Sequence, residues 1–381
     1  MGVMNQVLWI TFAPITSAAA AFYHTSDLMI GLLSMAFMVV FIIIFLPSAY
    51  VIDTRGFRAA VGTGAVLTAV FGLTRGLFAS NYTLVLISQI GIAAGQPFII
   101  GAITKVAARW FPVEERATAS GIGTLALYLG PLLAMFLTPH LVVRIGIPKT
   151  LLIYGAASAA AAVFFLLVAR EHPPTPAGPD ERVLMFNGLR SMIRQRHFLI
   201  LLVVFFIGLG MFNAVSTWIE DIIRPRGFTI SEAGRLGGLM LGGGIVGAIV
   251  VSLLSDRFRR RKPFILLALA GLLPGLIGMT YGTANWLLLL SGFIFGFFLL
   301  SAGPIGFQYA AEITHPAPEG TSNTLLLLMG QVSGILFILG MDALRVRPSG
   351  AMTTSLLILI SLSLLNVLLA LTLPESPIHK K

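Results

Sequence analysis

Cysteine is absent from all 381 residues, which excludes disulfides and thiolate-held metal or iron–sulfur centres. Charge is scarce as well. Charged residues make up 10% of the chain, against about 25% in a soluble domain. Long hydrophilic stretches are also missing, apart from one near the middle. What remains is 57% hydrophobic, with a mean hydropathy of +0.93. A soluble fold cannot hide that much apolar surface, so lipid is the expected solvent for most of the chain. The acids number 15 against 25 lysines and arginines, a net charge of +10. Because the basic residues stand between apolar runs rather than on one soluble face, no nucleic-acid partner is expected. The first apolar run lacks a basic leader and a small-residue cleavage site, so no cleavable signal is expected. That run begins almost at Met1, with no charged residue before Trp9, which leaves room for a true start further upstream.

A bilayer core takes about 20 apolar residues in helix. Twelve runs meet that length: 3–23, 28–52, 59–79, 83–107, 117–138, 150–168, 198–222, 233–254, 263–281, 286–310, 322–341 and 352–373, numbered spans 1 to 12 below. The hydrophilic stretch 169–197 is Pro-rich and then basic, with Arg190, Arg194 and Arg196. It reads as a linker between halves 1–168 and 198–381. With the N-terminus inside, seventeen of the 25 lysines and arginines fall on the inner side and eight outside. Basic residues favour the cytoplasmic side. Both termini and the linker are therefore expected in the cytoplasm, in a multi-pass protein of the cell membrane.

The halves resemble each other at a constant offset. Asp53-Thr-Arg55-Gly56-Phe-Arg58 follows span 2, and Asp256-Arg257-Phe-Arg259-Arg260-Arg261 follows span 8, with the aspartates 203 apart. Pro112 precedes span 5 and Pro316 precedes span 11, 204 apart. A parallel six-plus-six repeat implies an all-α membrane protein of the major facilitator fold, with twelve transmembrane helices in two pseudo-symmetric six-helix bundles and substrate near mid-depth. The loop at Asp53 resembles the superfamily signature G-x-L-x-D-R-x-G-R-R, with Ala49 at its first glycine and Ser252 there in the second copy.

Further stretches are similar to the feline leukaemia virus subgroup C receptor family of haem and choline carriers. They are Leu46–Arg58, Ala233-Gly-Arg235-Leu-Gly, Gly306-Phe-Gln308-Tyr-Ala-Ala-Glu312 through Glu319-Gly-Thr-Ser, and Gln331-Val-Ser-Gly-Ile-Leu-Phe337. The resemblance places amine-binding positions on Trp9, Gln96 and Gln331. A span 7 tyrosine of that family is Asn213 here, and the glutamate of its G-F-E-F is Gln308. It also implies that Asp53, Arg55, Arg58, Asp256, Arg257 and Glu319 form a conformational latch. By the family's geometry Asp53 should approach the start of span 11 near Thr321, and Asp256 that of span 5 near Thr118. The alternative is that these aspartates only cap loops and balance neighbouring arginines.

Polar side chains in lipid are costly unless they have a task or a partner. Gln96, Tyr128 and Gln331 lie near the middles of their spans, with Asn213 and Trp9 somewhat off-centre. The repeat relates Trp9 to Asn213 and Tyr128 to Gln331. A small-molecule substrate is therefore expected among Trp9, Gln96, Tyr128, Asn213 and Gln331. Trp9 would offer a cation–π face worth about 0.5–2 kcal/mol. The plainer alternative is that the amides only join helices, as Gln89 and Asn366 are expected to do.

No Asp, Glu, Lys or His stands near the middle of a span. Arg75, Lys105, Glu220, Asp221, Arg235 and Glu312 are all near ends. Proton coupling usually needs a titratable group at mid-depth, so facilitated diffusion of an amine or organic cation is favoured. A proton-linked exporter of lipophilic compounds is the alternative. A non-transporting receptor or scaffold would carry a sizeable soluble domain, and the short linker argues against it. No histidine is placed to ligate haem, and no cofactor or metal is expected. A monomer in the bilayer is. Gly234, Gly238 and Gly242 form a small-residue stripe on span 8. Gly130-Pro131, Pro14 and Pro304 read as kinks. Asn81-Tyr82-Thr83 is a glycosylation sequon by letter, in a loop too short for use.

Overall fold

Proline and glycine divide this chain into its spans. The computed structural model describes residues 1–112, 115–173, 192, 194–314, 319–346 and 348–376; the side chains of 117 and 319–321 are outside that description. Among the described residues ten helices are long and apolar enough to cross a membrane. Two of these, Asp27–Leu77 and Arg116–Val168, have 51 and 53 residues. At 1.5 Å per residue each would run to nearly 80 Å, far beyond a hydrocarbon core of about 30 Å. Each is broken once, at Gly56 (φ 83°) and at Gly146 (φ 79°). Only glycine enters that left-handed region without a steric cost. The ten helices therefore supply twelve spans, the number the hydropathy pattern predicts.

Some boundaries move for identifiable reasons. Span 8 starts at Ile230 rather than 233, because Thr229 and Glu232 close a reciprocal capping box before it. Span 4 starts on Asn81, whose Oδ1 accepts from the Leu84 N–H at 3.1 Å, so the sequon asparagine is a helix cap. Span 5 runs on past 138 to the break at Gly146, and span 10 reaches Thr314. Span 1 is interrupted: Gly2–Ile10 gives way to a 3-10 turn at Ala13–Ile15 and resumes at Thr16–Tyr23. Pro14 has no N–H for the Ile10 carbonyl. The helix continues across Pro304.

The chain divides into two compact units, Met1–Glu181 and Arg182–Lys381. Their kinship is visible in the backbone. Six described residues have positive φ: His24, Gly56, Gly146, Gly227, Arg259 and Gly350. They pair as His24 with Gly227, Gly56 with Arg259, and Gly146 with Gly350, at offsets of 203, 203 and 204. Every left-handed position in one half thus has its copy in the other.

Close helix packing uses different residues in each half. In the first, Gly64 of span 3 lies on Gly95 of span 4, where an added Cβ would meet the Gly95 carbonyl oxygen at 2.7 Å. In the second, a Cβ on Gly247 would fall 1.9 Å from the Phe297 carbonyl oxygen, and one on Gly296 1.8 Å from that of Met240. Spans 8 and 10 therefore touch backbone to backbone. The sequence pattern put the small stripe of span 8 on Gly234, Gly238 and Gly242; this contact runs through Gly247, on another face of the same helix.

Candidate functional site

Trp9 stands just before the interruption of span 1, is 7% exposed, and donates its indole N–H to the Ser34 carbonyl at 3.2 Å. The break has its own scaffold. Arg75 donates to the Leu8 carbonyl at 3.0 Å, to Gln89 Oε1 at 2.7 Å and to Thr11 Oγ1 at 3.4 Å. Gln89 donates to the carbonyls of Leu8 and Trp9 at 3.1 and 3.4 Å. Carbonyls freed by the broken helix need donors, and these two side chains supply them. Gln89 is structural, as expected. Arg75 is at a span end, as the sequence reading has it, yet it is fully buried, with its guanidinium 5.7 Å over the Phe12 ring.

Gln96 is different. It is only 6% exposed and has no hydrogen-bond partner among the described residues. An amide at that depth without such a partner is a candidate for a ligand. Tyr128 is half-buried on span 5. No hydrogen bond joins Trp9, Gln96 and Tyr128 to one another among the described residues. In the second half, Asn213 is 8% exposed and donates to the Gly330 carbonyl at 3.1 Å, beside the half-buried Gln331. Spans 7 and 11 thus bring two of the expected residues to neighbouring places. Asn366 donates to the Val204 carbonyl at 3.1 Å and is structural.

Two polar residues escape a reading based on span centres. Asn5 is fully buried and donates to Thr68 Oγ1 at 3.1 Å and the Ile92 carbonyl at 3.2 Å, while its Oδ1 has no partner. Gln6, also buried, packs where span 1 lies against Gly130: a Cβ there would come within 2.5 Å of Gln6 Cβ and the Val3 carbonyl oxygen. The Gly130-Pro131 pair therefore marks a close helix contact.

The acids and bases of the spans are tied together. Glu220 and Asp221 are buried on the short helix Ile219–Ile223. Arg224 and Arg345 each reach Asp221 Oδ1 at 3.0 Å, and Arg345 also lies 5.0 Å over the Trp218 ring. Glu312 holds Arg261 at 3.2 Å, and Gln308, the departure from the family glutamate, donates to Glu312 at 3.1 Å.

At the latch positions the halves diverge. Asp256 pairs with Arg261 inside its own half. Asp53, Arg55 and Arg257 are exposed, without ion pairs among the described residues, and the Arg58 backbone N–H donates to Glu171 Oε2 at 2.7 Å. The side chains of Glu319 and Thr321 lie outside the described residues, as do Arg182 and Arg190 of the linker.

A second pair of acids was not picked out from the sequence. Glu171, after span 6, accepts from the backbone N–H groups of Phe57 and Arg58 at 3.2 and 2.7 Å and pairs with Arg109. Glu375, after span 12, accepts from those of Arg261 and Lys262 at 2.7 and 3.1 Å. Both acids and both pairs of amides are 204 apart. Each carboxylate thus caps the start of the third helix of its half, where the helix dipole favours it. The offset that links Pro112 to Pro316 relates them in the sequence as well. Burial opposes ionisation of Glu375, but the backbone donors of Arg261, Lys262 and Ser376 outweigh it and hold the carboxyl below the usual range.

A broken first helix, a twofold repeat of six spans and buried amides define a membrane carrier of the major facilitator type. The profile of the Major Facilitator Superfamily matches residues 1–338, and the chain belongs to that superfamily. Among curated proteins it is similar to solute carrier family 49 member A3 of Danio rerio, 31% identical over 357 residues covering 89% of this chain and 75% of that one. It is also similar to the choline/ethanolamine transporter FLVCR1 of Mus musculus, 29% identical over 375 residues, which cover 88% of this chain and 66% of that protein. Among solved structures, a bacterial homologue of the lysosomal transporter Spinster aligns over 98% of this chain and 95% of its own, with a TM-score of 0.76 at 16% identity. That likeness is one of fold. Members of that superfamily are transporters, so the chain is a multi-pass membrane transporter and not an enzyme.

Proposed function

We propose that this chain is a facilitative, alternating-access carrier of a small amine or organic cation of the choline and ethanolamine class. The ligand contacts in this reading are Trp9, Gln96 and Tyr128 of the first half and Asn213 and Gln331 of the second. The observation that carries it is Gln96, a buried amide with no partner among the described residues, in a chain similar to a transporter named for choline and ethanolamine. The acids of the spans support facilitation over proton coupling, since Glu220, Asp221 and Glu312 are already matched by arginines. Asn213, where the resembled family has tyrosine, leaves a less aromatic site. Primary amines such as ethanolamine therefore fit better than a strictly quaternary ligand.

The test is uptake of labelled ethanolamine and choline by Trp9→Ala, Gln96→Ala and Gln331→Ala, beside the exposed control Arg144→Ala. Gln96→Ala and Gln331→Ala should each lower uptake at least tenfold at normal surface expression, about 1.4 kcal/mol of lost transition-state or ligand contact. Three pocket variants that transport as well as the control would put the site elsewhere.

A further inference from the structure

We infer that the cleft beside Arg55 and Arg58 in the first half is a binding site for an anionic phospholipid. The cleft measures about 710 Å³ and runs between spans 3 and 6. Its two ends differ in chemistry. Arg55, Arg58 and Glu171 stand at one end, where span 2 breaks at Gly56 and span 6 stops at Val168. Gly62, Val66 and Leu166 line the rest. That is the order a phospholipid presents, with phosphate at the end of the helices and acyl chain along them.

Three observations narrow the occupant. First, the guanidinium groups of Arg55 and Arg58 are exposed and have no ion pair or hydrogen bond among the described residues. Arg58 is held only through its backbone N–H. Second, the one acid among the described residues that line the cleft is already engaged. Glu171 accepts from two backbone N–H groups and pairs with Arg109. The cleft therefore keeps an excess of positive charge, carried by two forked donors suited to phosphate oxygens. Third, its apolar wall is open to lipid. Val66 and Leu166 are exposed, and so are Phe164 and Leu167 of the helix that carries Leu166, the latter 79% exposed. At Gly62 an added Cβ would meet only Leu166 Cδ2, at 3.5 Å, so the floor of the groove is shallow but unobstructed.

The second half supplies an internal comparison. The repeat puts Phe258 in the place of Arg55 and Lys262 in that of Arg58. Lys262 spends its ammonium on the Leu371 carbonyl at 2.8 Å. The two equivalent positions thus hold no free basic pair, although Arg257, Arg259 and Arg260 are exposed nearby. If loop charge alone attracted lipid, the second half would do it as well.

The test is native mass spectrometry of the full chain in detergent, with phosphatidylglycerol and phosphatidylcholine of matched acyl chains added together. The wild type should retain phosphatidylglycerol in preference. Arg55→Gln with Arg58→Gln should weaken that retention roughly tenfold, in line with the pull of each basic residue on anionic lipid. Val66→Trp, which blocks the groove and keeps both charges, should weaken it too. Arg257→Gln with Arg259→Gln should leave it nearly unchanged. The inference is overturned if the Arg55/Arg58 double variant and Val66→Trp both bind as the wild type does. It is equally overturned if the Arg257/Arg259 variant loses as much, or if excess inorganic phosphate strips the lipid, which would mark a plain anion site.

Discussion

The two halves share a backbone and differ in the side chains wired onto it. Left-handed residues recur at 203–204, and so do the carboxylates Glu171 and Glu375 on the first amides of the third helix in each half. The wiring around this frame has changed. In the first half a buried cation, Arg75, braces span 1 through the Leu8 carbonyl, the Thr11 hydroxyl and the Gln89 amide. In the second, buried acids and arginines are matched in clusters, Asp221 with Arg224 and Arg345, and Glu312 with Arg261. A repeat of this kind conserves the positions where the chain must turn or cap. The polar groups inside each bundle are free to specialise.

The comparison breaks most sharply at Arg75. Arg75→Met would leave the Leu8 carbonyl and Gln89 without their strongest donor. A loss of about 2–4 kcal/mol is expected from several charged hydrogen bonds given up in a buried place. Thermal unfolding of the purified protein checks it. The position 204 residues on is already Met279, buried in the second half, so Met279→Leu should cost less than about 1.5 kcal/mol. Equal losses at the two positions would show that Arg75 is only filling space.

Next in size is the contact between spans 8 and 10. Gly247→Ala or Gly296→Ala puts a methyl group into a backbone carbonyl, and about 1–3 kcal/mol should be lost. The repeat-related positions of the first half are Ile44 and Ile92, where substitution by Val should cost only about 0.5–1.5 kcal/mol. A unfolding scan of the four variants orders the two packings.

How far the sequence carries is clearest at particular residues. The spans, their number and the repeat were readable because a 20-residue apolar run has few other uses and because Asp53 and Asp256 keep their type. The capping box at Thr229 and Glu232 fixes the start of span 8 three residues before the apolar run at 233, because a cap is polar and does not register in hydropathy. Burial of Arg75 was not, since its place near a span end is silent about which neighbours close over it. Asn5 and Gln6 escaped because the expected site was built on span centres. Glu171 and Glu375 lie in loops of dissimilar sequence; the repeat offset relates them, but their shared task as caps on the same backbone turn shows only in the structure. Of the five expected ligand residues, the unpaired state of Gln96 among the described residues and the hydrogen bond of Asn213 to the neighbour of Gln331 are set by the tertiary packing and leave no mark in the sequence.

The smallest effect concerns pH. Glu375 has its carboxyl held below the usual range, so it adds stability that is present above the unfolded carboxyl's pKa and lost as pH falls through the lower folded value. Glu375→Gln should therefore lower the melting temperature slightly at pH 7 and leave it nearly unchanged in strong acid. Melting curves from pH 7 down through the carboxylate range read this directly. A difference that persists undiminished below that range would mean that the side chain acts by shape rather than charge.

A carrier that moves a small amine down its own gradient, as proposed, must catalyse counterflow. Proteoliposomes carrying the purified protein would be loaded with unlabelled ethanolamine and diluted into labelled ethanolamine at equal pH on both sides. The account predicts a transient accumulation of label that a protonophore leaves intact and that Gln96→Ala abolishes. No accumulation with any amine of this class, or accumulation that collapses when the protonophore is added, would contradict it.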